Sequence, residues 1–412
     1  MQTRNTQIWK LDKLVLATGA VVSLLFPFAG SAEQWKFQPN ITLEERYEDN
    51  IRLTTSPHES VNATVLRGVF AFSRLTETGG IIGRIHADAS HYSGDEQIKS
   101  NTNNILFTSN AKHKTELSKM GVDLSYKRDT TLRNIDISDE LDVEDNPINI
   151  DDQDVGLVEV DIKRETIKLK PTVSFQLNER TALDFSYQLS DVKYKNNVIG
   201  TGLFDYDRHE VSAGIARQLT ERDLLSFSIA GARYQAPDNS DNKVDSYEVT
   251  VGYRRALTEK TVGEITLGAN ESRQSSLLTS NNDNGFIVRG RLEHAAEQTR
   301  YMLEGSHDLQ PSGSGTVREI NQVDFKLRHD FSSRLNGILN IRALQRNTIE
   351  DDSEVRQHYL SIEPGLRWKL TRWWNVGTGI RYRKNKHSFN VDSADSNAVY
   401  VSIGYSKPYT SD

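Results

Sequence analysis

The stretch Ile167-Lys168-Leu169-Lys170-Pro171-Thr172-Val173-Ser174-Phe175-Gln176-Leu177 runs into Asn178-Glu179-Arg180-Thr181 and resumes as Leu183-Asp184-Phe185-Ser186-Tyr187-Gln188-Leu189. Apolar residues fall at every second position on both sides of the polar break, with Lys168, Lys170, Ser174, Gln176, Asp184, Ser186 and Gln188 between them. A strand sends successive side chains to opposite faces, so this segment is a β-hairpin with one apolar and one polar face.

The unit recurs. Turns of the same style begin at Leu75, Leu117, Leu177, Leu219, Leu257, Ala295, Phe331 and Leu370, spaced by 42, 60, 42, 38, 38, 36 and 39 residues. A period of about 40 flanked by alternating segments is a row of hairpins. Ile81, Ile85, Ala87 and Ala89 alternate with Arg84, His86, Asp88 and Ser90; Val399, Val401, Ile403 and Tyr405 alternate with Tyr400, Ser402, Gly404 and Ser406.

A soluble β-sandwich shows the same alternation, but three features favour a membrane barrel. Charges crowd onto the polar face, which a wet lumen tolerates. Short turns alternate with longer polar loops, as expected of a periplasmic and an extracellular rim. Aromatics collect near strand ends: Trp35, Tyr253, Tyr301, Trp368, Trp373 and Trp374 towards the short-turn rim, and Tyr47, Tyr92, Tyr194, Tyr234 and Tyr382 towards the long-loop rim. Such rings suit the two membrane interfaces. The expected fold is all-β: a transmembrane antiparallel up-and-down β-barrel of about 18 strands, with 16 as the alternative, wide enough to enclose an aqueous lumen. Segment 61–75 conflicts with itself, because Val61-Ala63-Val65 and Leu66-Phe70-Phe72 call for opposite registers, and a bulge there would reconcile them.

Composition agrees. Only 36% of residues are hydrophobic, low for a globular core of this length, yet 15 Tyr, 14 Phe and 5 Trp argue against disorder. A thin apolar band with a wet opposite face resolves the conflict. Residues 1–32 read as a signal peptide: Arg4, Lys10 and Lys13 precede the apolar run Leu14 to Phe26, and Gly30-Ser31-Ala32 lead to a cut between Ala32 and Glu33. The barrel then occupies 33–412, with 47 basic and 56 acidic residues, which argues against nucleic-acid binding. There is no cysteine, so disulfides and thiolate metal sites are excluded. No later stretch is apolar enough for a membrane helix.

Two segments could carry chemistry. The long extracellular loop 130–156 is strongly acidic, and Asp142, Glu144, Asp145, Asp151 and Asp152 are weak candidates for divalent cations. They lack the regular order of a dedicated calcium loop, so a solvated charge run is the plainer reading, and folding into the lumen as a constriction is a separate possibility. Late in the chain, Arg289 and Arg291, Lys326 and Arg328, Arg342 and Arg346, Arg367 and Lys369, and Arg381 and Arg383 fall on the inward faces of strands. They read either as a basic ladder guiding anionic solutes or as a charge network bracing the wall, with Glu293, Glu304, Asp308, Asp324 and Glu363 interspersed. Catalysis finds little support: no paired-His metal spacing occurs, no cofactor motif is present, and a lipase pair could be nominated only from His294 and Ser272, both expected on the outer face.

The opening Gln34-Trp35-Lys36-Phe37-Gln38-Pro39-Asn40-Ile41-Thr42-Leu43-Glu44-Glu45-Arg46-Tyr47-Glu48-Asp49-Asn50-Ile51-Arg52-Leu53 resembles the start of the outer-membrane β-barrel porins associated with exopolysaccharide and PEP-CTERM gene clusters. Their P-x-hydrophobic-x-hydrophobic-x-E-x-Y-x-D-N stretch and Leu-Thr-Glu-Arg-Thr-like turns are both present. The resemblance implies a Gram-negative outer-membrane barrel serving secretion or assembly of surface polysaccharide, and it supplies no catalytic residue. The chain departs from many outer-membrane barrels in running past its last strand to Tyr409-Thr410-Ser411-Asp412. The expectation is a passive channel linked to exopolysaccharide export, or alternatively a closed structural or surface-interaction barrel. Its partners would be outer-membrane lipid and lipopolysaccharide, the barrel assembly machinery and polysaccharide export components.

Overall fold

A computed structural model describes residues 35–94, 102–130, 162–195, 203–237, 242–275, 280–311, 317–350, 353–388 and 392–410. Its elements are β1 (Lys36–Glu48), β2 (Val61–Leu75), β3 (Gly79–Gly94), β4 (Thr102–Lys114), β5 (Ser118–Thr130), β6 (Lys163–Asn178), β7 (Thr181–Lys195), β8 (Tyr206–Gln218) and β9 (Asp223–Ala236). They continue with β10 (Asn242–Thr258), β11 (Thr261–Ser275), β12 (Ser280–Ala295), β13 (Thr299–Pro311), β14 (Val317–Asp330), β15 (Leu335–Glu350), β16 (Ser353–Lys369), β17 (Trp374–His387) and β18 (Ala394–Ser406). A two-residue β19 (Tyr409–Thr410) pairs with the start of β1.

Each strand pairs antiparallel with its sequence neighbours, and β1 closes the ring on β18 from Asn40 opposite Ser406 to Glu48 opposite Ala398. The result is a closed 18-strand up-and-down barrel, so no long sheet edge is left unpaired. The expected signal peptide 1–32, loop 130–156 beyond Thr130 and the acidic candidates Asp142, Glu144, Asp145, Asp151 and Asp152 lie outside the described residues.

The recurring turn chemistry has a local cause. In the turns starting at Leu219, Phe331 and Leu370, the second residue is Thr220, Ser332 or Thr371. Its hydroxyl accepts the backbone N–H three residues on, from Asp223 (3.1 Å), Leu335 (3.0 Å) and Trp374 (3.1 Å). A short hydroxyl residue thereby satisfies the donor that the tight reversal would orphan.

Register separates oil from water. Ile41, Leu43, Leu66, Phe70, Ile85, Phe227, Val249, Val251, Leu267, Val323, Leu366, Val399 and Val401 are large, apolar and exposed on the outer face. So large an apolar surface is stable only against lipid. At the short-turn rim Trp374 packs on Tyr405 with ring centroids 5.0 Å apart, and Phe72 lies where a Cβ on Gly83 of β3 would sit. Strands of 13–17 residues exceed the 9–11 that a tilted strand needs to cross. Their surplus at the long-loop end carries outward ion pairs such as Arg233–Asp245 (2.7 Å) and Arg273–Glu271 (2.8 Å).

Three expectations are corrected. Segment 61–75 has no bulge: β2 keeps one register against β1 from Val61 opposite Glu48 to Ser73 opposite Lys36. Its apolar residues truly change face, Leu66 and Phe70 meeting lipid while Val61, Ala63 and Val65 point inward. Tyr92, Tyr194 and Tyr234 do not girdle the membrane; they are buried on the inner side, because chain segments pack against them there. Ser272 faces inward, its hydroxyl 3.2 Å from that of Ser246, whereas His294 sits outside and stacks on Tyr301. The wall separates the nominated lipase pair.

Candidate functional site

The inner face of the wall is polar in sequence but unevenly covered. Towards the short-turn rim its side chains stand open: Lys112, Lys114, Lys119, Asp184, Arg254, Glu264 and Lys369 are exposed. Towards the long-loop rim they are buried, including His86, Asp88, Asn104, Lys127, Asp129, Val192, Ser272, Ile320 and Ser396. Described chain segments folded into the outer half of the lumen cover part of this face.

One of these is the segment 49–60 between β1 and β2. Ile51 and Leu53 are buried, and Ile51 packs with Val61, Ala63, Val65 and Tyr92. The segment is braced internally by the Ile51 N–H to Glu59 carbonyl bond (3.1 Å) and the Arg52–Glu59 ion pair (3.0 Å). Leu53 holds a left-handed backbone, φ 53°, while only 4% exposed; a bulky side chain adopts that conformation only where its surroundings impose it.

A buried polar cluster pins the segment across the closing seam. Glu48, the last residue of β1, accepts from Arg381 Nη2 (2.9 Å), from Arg383 Nη2 and from the Ser396 hydroxyl (3.1 Å). Arg383 also donates to the Ile51 carbonyl (3.0 Å). Asn50 donates its amide to the carbonyls of Thr54 (2.8 Å) and Asp395 (3.0 Å). Asp49 accepts from the Asn397 backbone (2.7 Å) and side-chain amide (3.0 Å). The Glu-x-Tyr-x-Asp-Asn signature thus has a structural explanation: Asp49 and Asn50 fasten the first strand to the last.

A second chain segment enters on the opposite wall. Leu203 packs with Ile162, Val192 and Tyr194, and Phe204 with Tyr234 and Val244. The Asp205 carboxylate accepts the Tyr194 backbone N–H at 2.7 Å, holding the approach to β8 inside. Charges in this half are neutralised: Asp129 receives Lys127 (3.1 Å) and a two-pronged contact from Arg164 (3.1 and 2.8 Å).

Register brings all ten residues of the late basic series to the inner side of β12 and β14–β17. They are largely interleaved with carboxylates. Arg289 meets Glu248 (3.1 Å) and Asp308 (2.6 Å); Arg291 meets Glu293 and Glu304 (3.7 Å); Arg328 meets Asp330 (3.4 Å); Arg342 meets Asp324 (2.7 Å). Arg346 is buried and Arg367 is engaged, while Lys326 and Lys369 have no ion pair among the described residues. Opposite, β7–β11 present small hydroxyl residues, with Ser186 bonded to Ser212 and Ser228 to Thr250, each at 2.6 Å. Sequence reasoning found the basic wall but missed the hydroxyl wall and the infolded segment. The apolar run Val61-Ala63-Val65 on the supposed water face was the available signal.

A family model described as "Putative beta-barrel porin 2" matches residues 231–406, less than half of the chain. No curated protein has a significantly matching sequence. Among solved structures, the outer membrane protein OpdK of Pseudomonas aeruginosa is 12% identical, with 91% of this chain and 99% of that chain covered at a TM-score of 0.45. OccAB2 of Acinetobacter baumannii is 10% identical, with 91% and 98% covered at 0.46. OccAB4 of the same organism is 8% identical, with 93% and 100% covered at 0.45. The matched family is one of porins, channels rather than enzymes. The closed antiparallel wall and its lipid-facing belt locate the protein in the outer membrane of a Gram-negative bacterium.

Proposed function

We propose that this porin-like outer-membrane barrel is a passive channel for small polar solutes, wide and wet on the periplasmic side and restricted in its extracellular half. The observation that carries the reading is the axial gradient of the inner face, open from Lys112 to Lys369 near the short turns and buried around Glu48, Asp129 and Tyr234 beyond. Lys326 and Lys369, which lack a carboxylate partner among the described residues, give the path a modest preference for anions. Planar-bilayer recording tests the reading: folded, heat-modifiable protein should give steady unitary steps.

A closed structural barrel is the second reading, favoured by the same burial in the outer half. Bilayers that stay silent with folded protein would select it. Service to surface exopolysaccharide is the narrower form of the channel reading and rests on the resemblance of residues 35–53. In the fold, Glu48, Asp49 and Asn50 of that stretch are engaged in barrel closure, which leaves them no solute contact. Loss of capsular or secreted polysaccharide in a deletion strain, restored by the wild-type chain, would support the narrower form.

A further inference from the structure

We propose that the periplasmic end of the lumen holds a binding site for a multivalent oxyanion, built by Lys112, Lys114, Lys119 and Lys170. Lys112 and Lys114 point inward from the end of β4, Lys119 from the start of β5 and Lys170 from β6, on adjacent strands. All four line one hollow of about 700 Å³. Lys114 stands directly opposite Lys119 in the β4–β5 register. Like charges at that position repel, at Cβ separations of about 5 Å.

The late arginines of the barrel are mostly paired with carboxylates; these amines are not. Among the described residues none of the four lysines has an ion pair. The hollow does contain two carboxylates, Asp123 and Asp184. Asp123 stands opposite Lys170 in the β5–β6 register, with no ion pair among the described residues, and accepts the side-chain amide of Asn110; Asp184 stands beyond Ser174, one strand further from Lys119. Four cations against two carboxylates leave a local excess of positive charge in a protein whose overall charge is negative.

The remaining surface selects the ligand chemistry. Thr172 and Ser174 of β6 and Ser186 and Ser212 of β7 and β8 offer hydroxyls to the same space. A lysine ammonium is a compact point charge on a flexible stem and adapts to oxygen anions of several shapes, unlike the fixed fork of arginine. An anion bearing at least two charges would bridge the facing Lys114 and Lys119 and offset their repulsion. A phosphate ester or a polycarboxylate fits equally by charge. The inference rests on the channel reading only for the route by which the anion arrives.

Calorimetric titration of the full folded chain in detergent at low ionic strength separates the possibilities. Pyrophosphate or citrate, or both, should bind, and the one that binds more tightly identifies the group; acetate should bind far more weakly. Lys112→Gln combined with Lys119→Gln and Lys170→Gln should weaken binding by about ten-fold or more, as expected when charge-assisted contacts are lost. Arg273→Gln, on the outer face at the opposite rim, should leave it unchanged. The single Lys119→Gln, with heat-modifiability checked, guards against a fold defect in the triple variant and should show a smaller loss. No binding, equal binding by acetate, or undiminished binding in both the triple and single variants would overturn the site. A barrel that conducts without binding rejects the site alone; one that binds without conducting rejects the channel alone.

Discussion

Glu48 and Arg383, on β1 and β17, form a buried ion pair on the two sides of the barrel's closing seam. Arg381 and Ser396 converge on the same carboxylate, so Glu48 receives two guanidinium groups at the base of segment 49–60. Removing one member of a buried pair leaves the other charge uncompensated, typically at about 3–5 kcal/mol. Glu48→Gln should therefore lower the temperature at which the barrel loses its heat-modifiable mobility and, by loosening segment 49–60, raise any unitary conductance. An unchanged melting temperature would remove Glu48 from the account of closure.

Segment 49–60 restricts the outer half of the lumen because its apolar residues pack on the inner wall. Replacing residues 51–58 with a short Gly-Ser bridge should preserve the β1–β18 pairing and enlarge the conducting steps. Equal steps in the two proteins would show that the limiting section lies elsewhere.

The absence of cysteine makes single-cysteine probes clean. Leu66→Cys should react with a lipid-soluble maleimide and resist a membrane-impermeant one, since Leu66 is 52% exposed on the lipid face. Val65→Cys, one residue earlier and fully buried inside, should resist both in the folded barrel. The opposite result at either position would restore the bulge that the single register excludes.

Lys326 lies inward on β14, opposite Asn340 in register, and Arg328 lies two residues on. Lys326→Glu with Arg328→Glu should shift the reversal potential in a salt gradient towards cation preference. An unchanged potential would leave the basic series a purely bracing role, which the pairs Arg289–Asp308 and Arg342–Asp324 already fill.

The alternation in residues 167–189 was enough to read the wall, because period two is a local property and the barrel is made of local hairpins. Strand count and the inward register of the ten late cations follow when the same alternation is traced along the whole chain. What alternation could not convey is where a loop goes once the strands are closed. Val65 and Tyr234 look like lipid or interface residues when each strand is taken alone. They are buried because segments distant in sequence, Ile51 and Phe204, cover them. The same limit applies to Asp49 and Asn50, whose partners at 395 and 397 become neighbours only when the ring closes.

The most direct test of the central claim is paired bilayer recording from the wild-type chain and the variant lacking residues 51–58, both verified as folded by heat-modifiability. The account predicts steady steps in the wild type, weakly anion-selective, and larger steps of the same polarity in the variant. Silence from both proteins under conditions that keep them folded would contradict it.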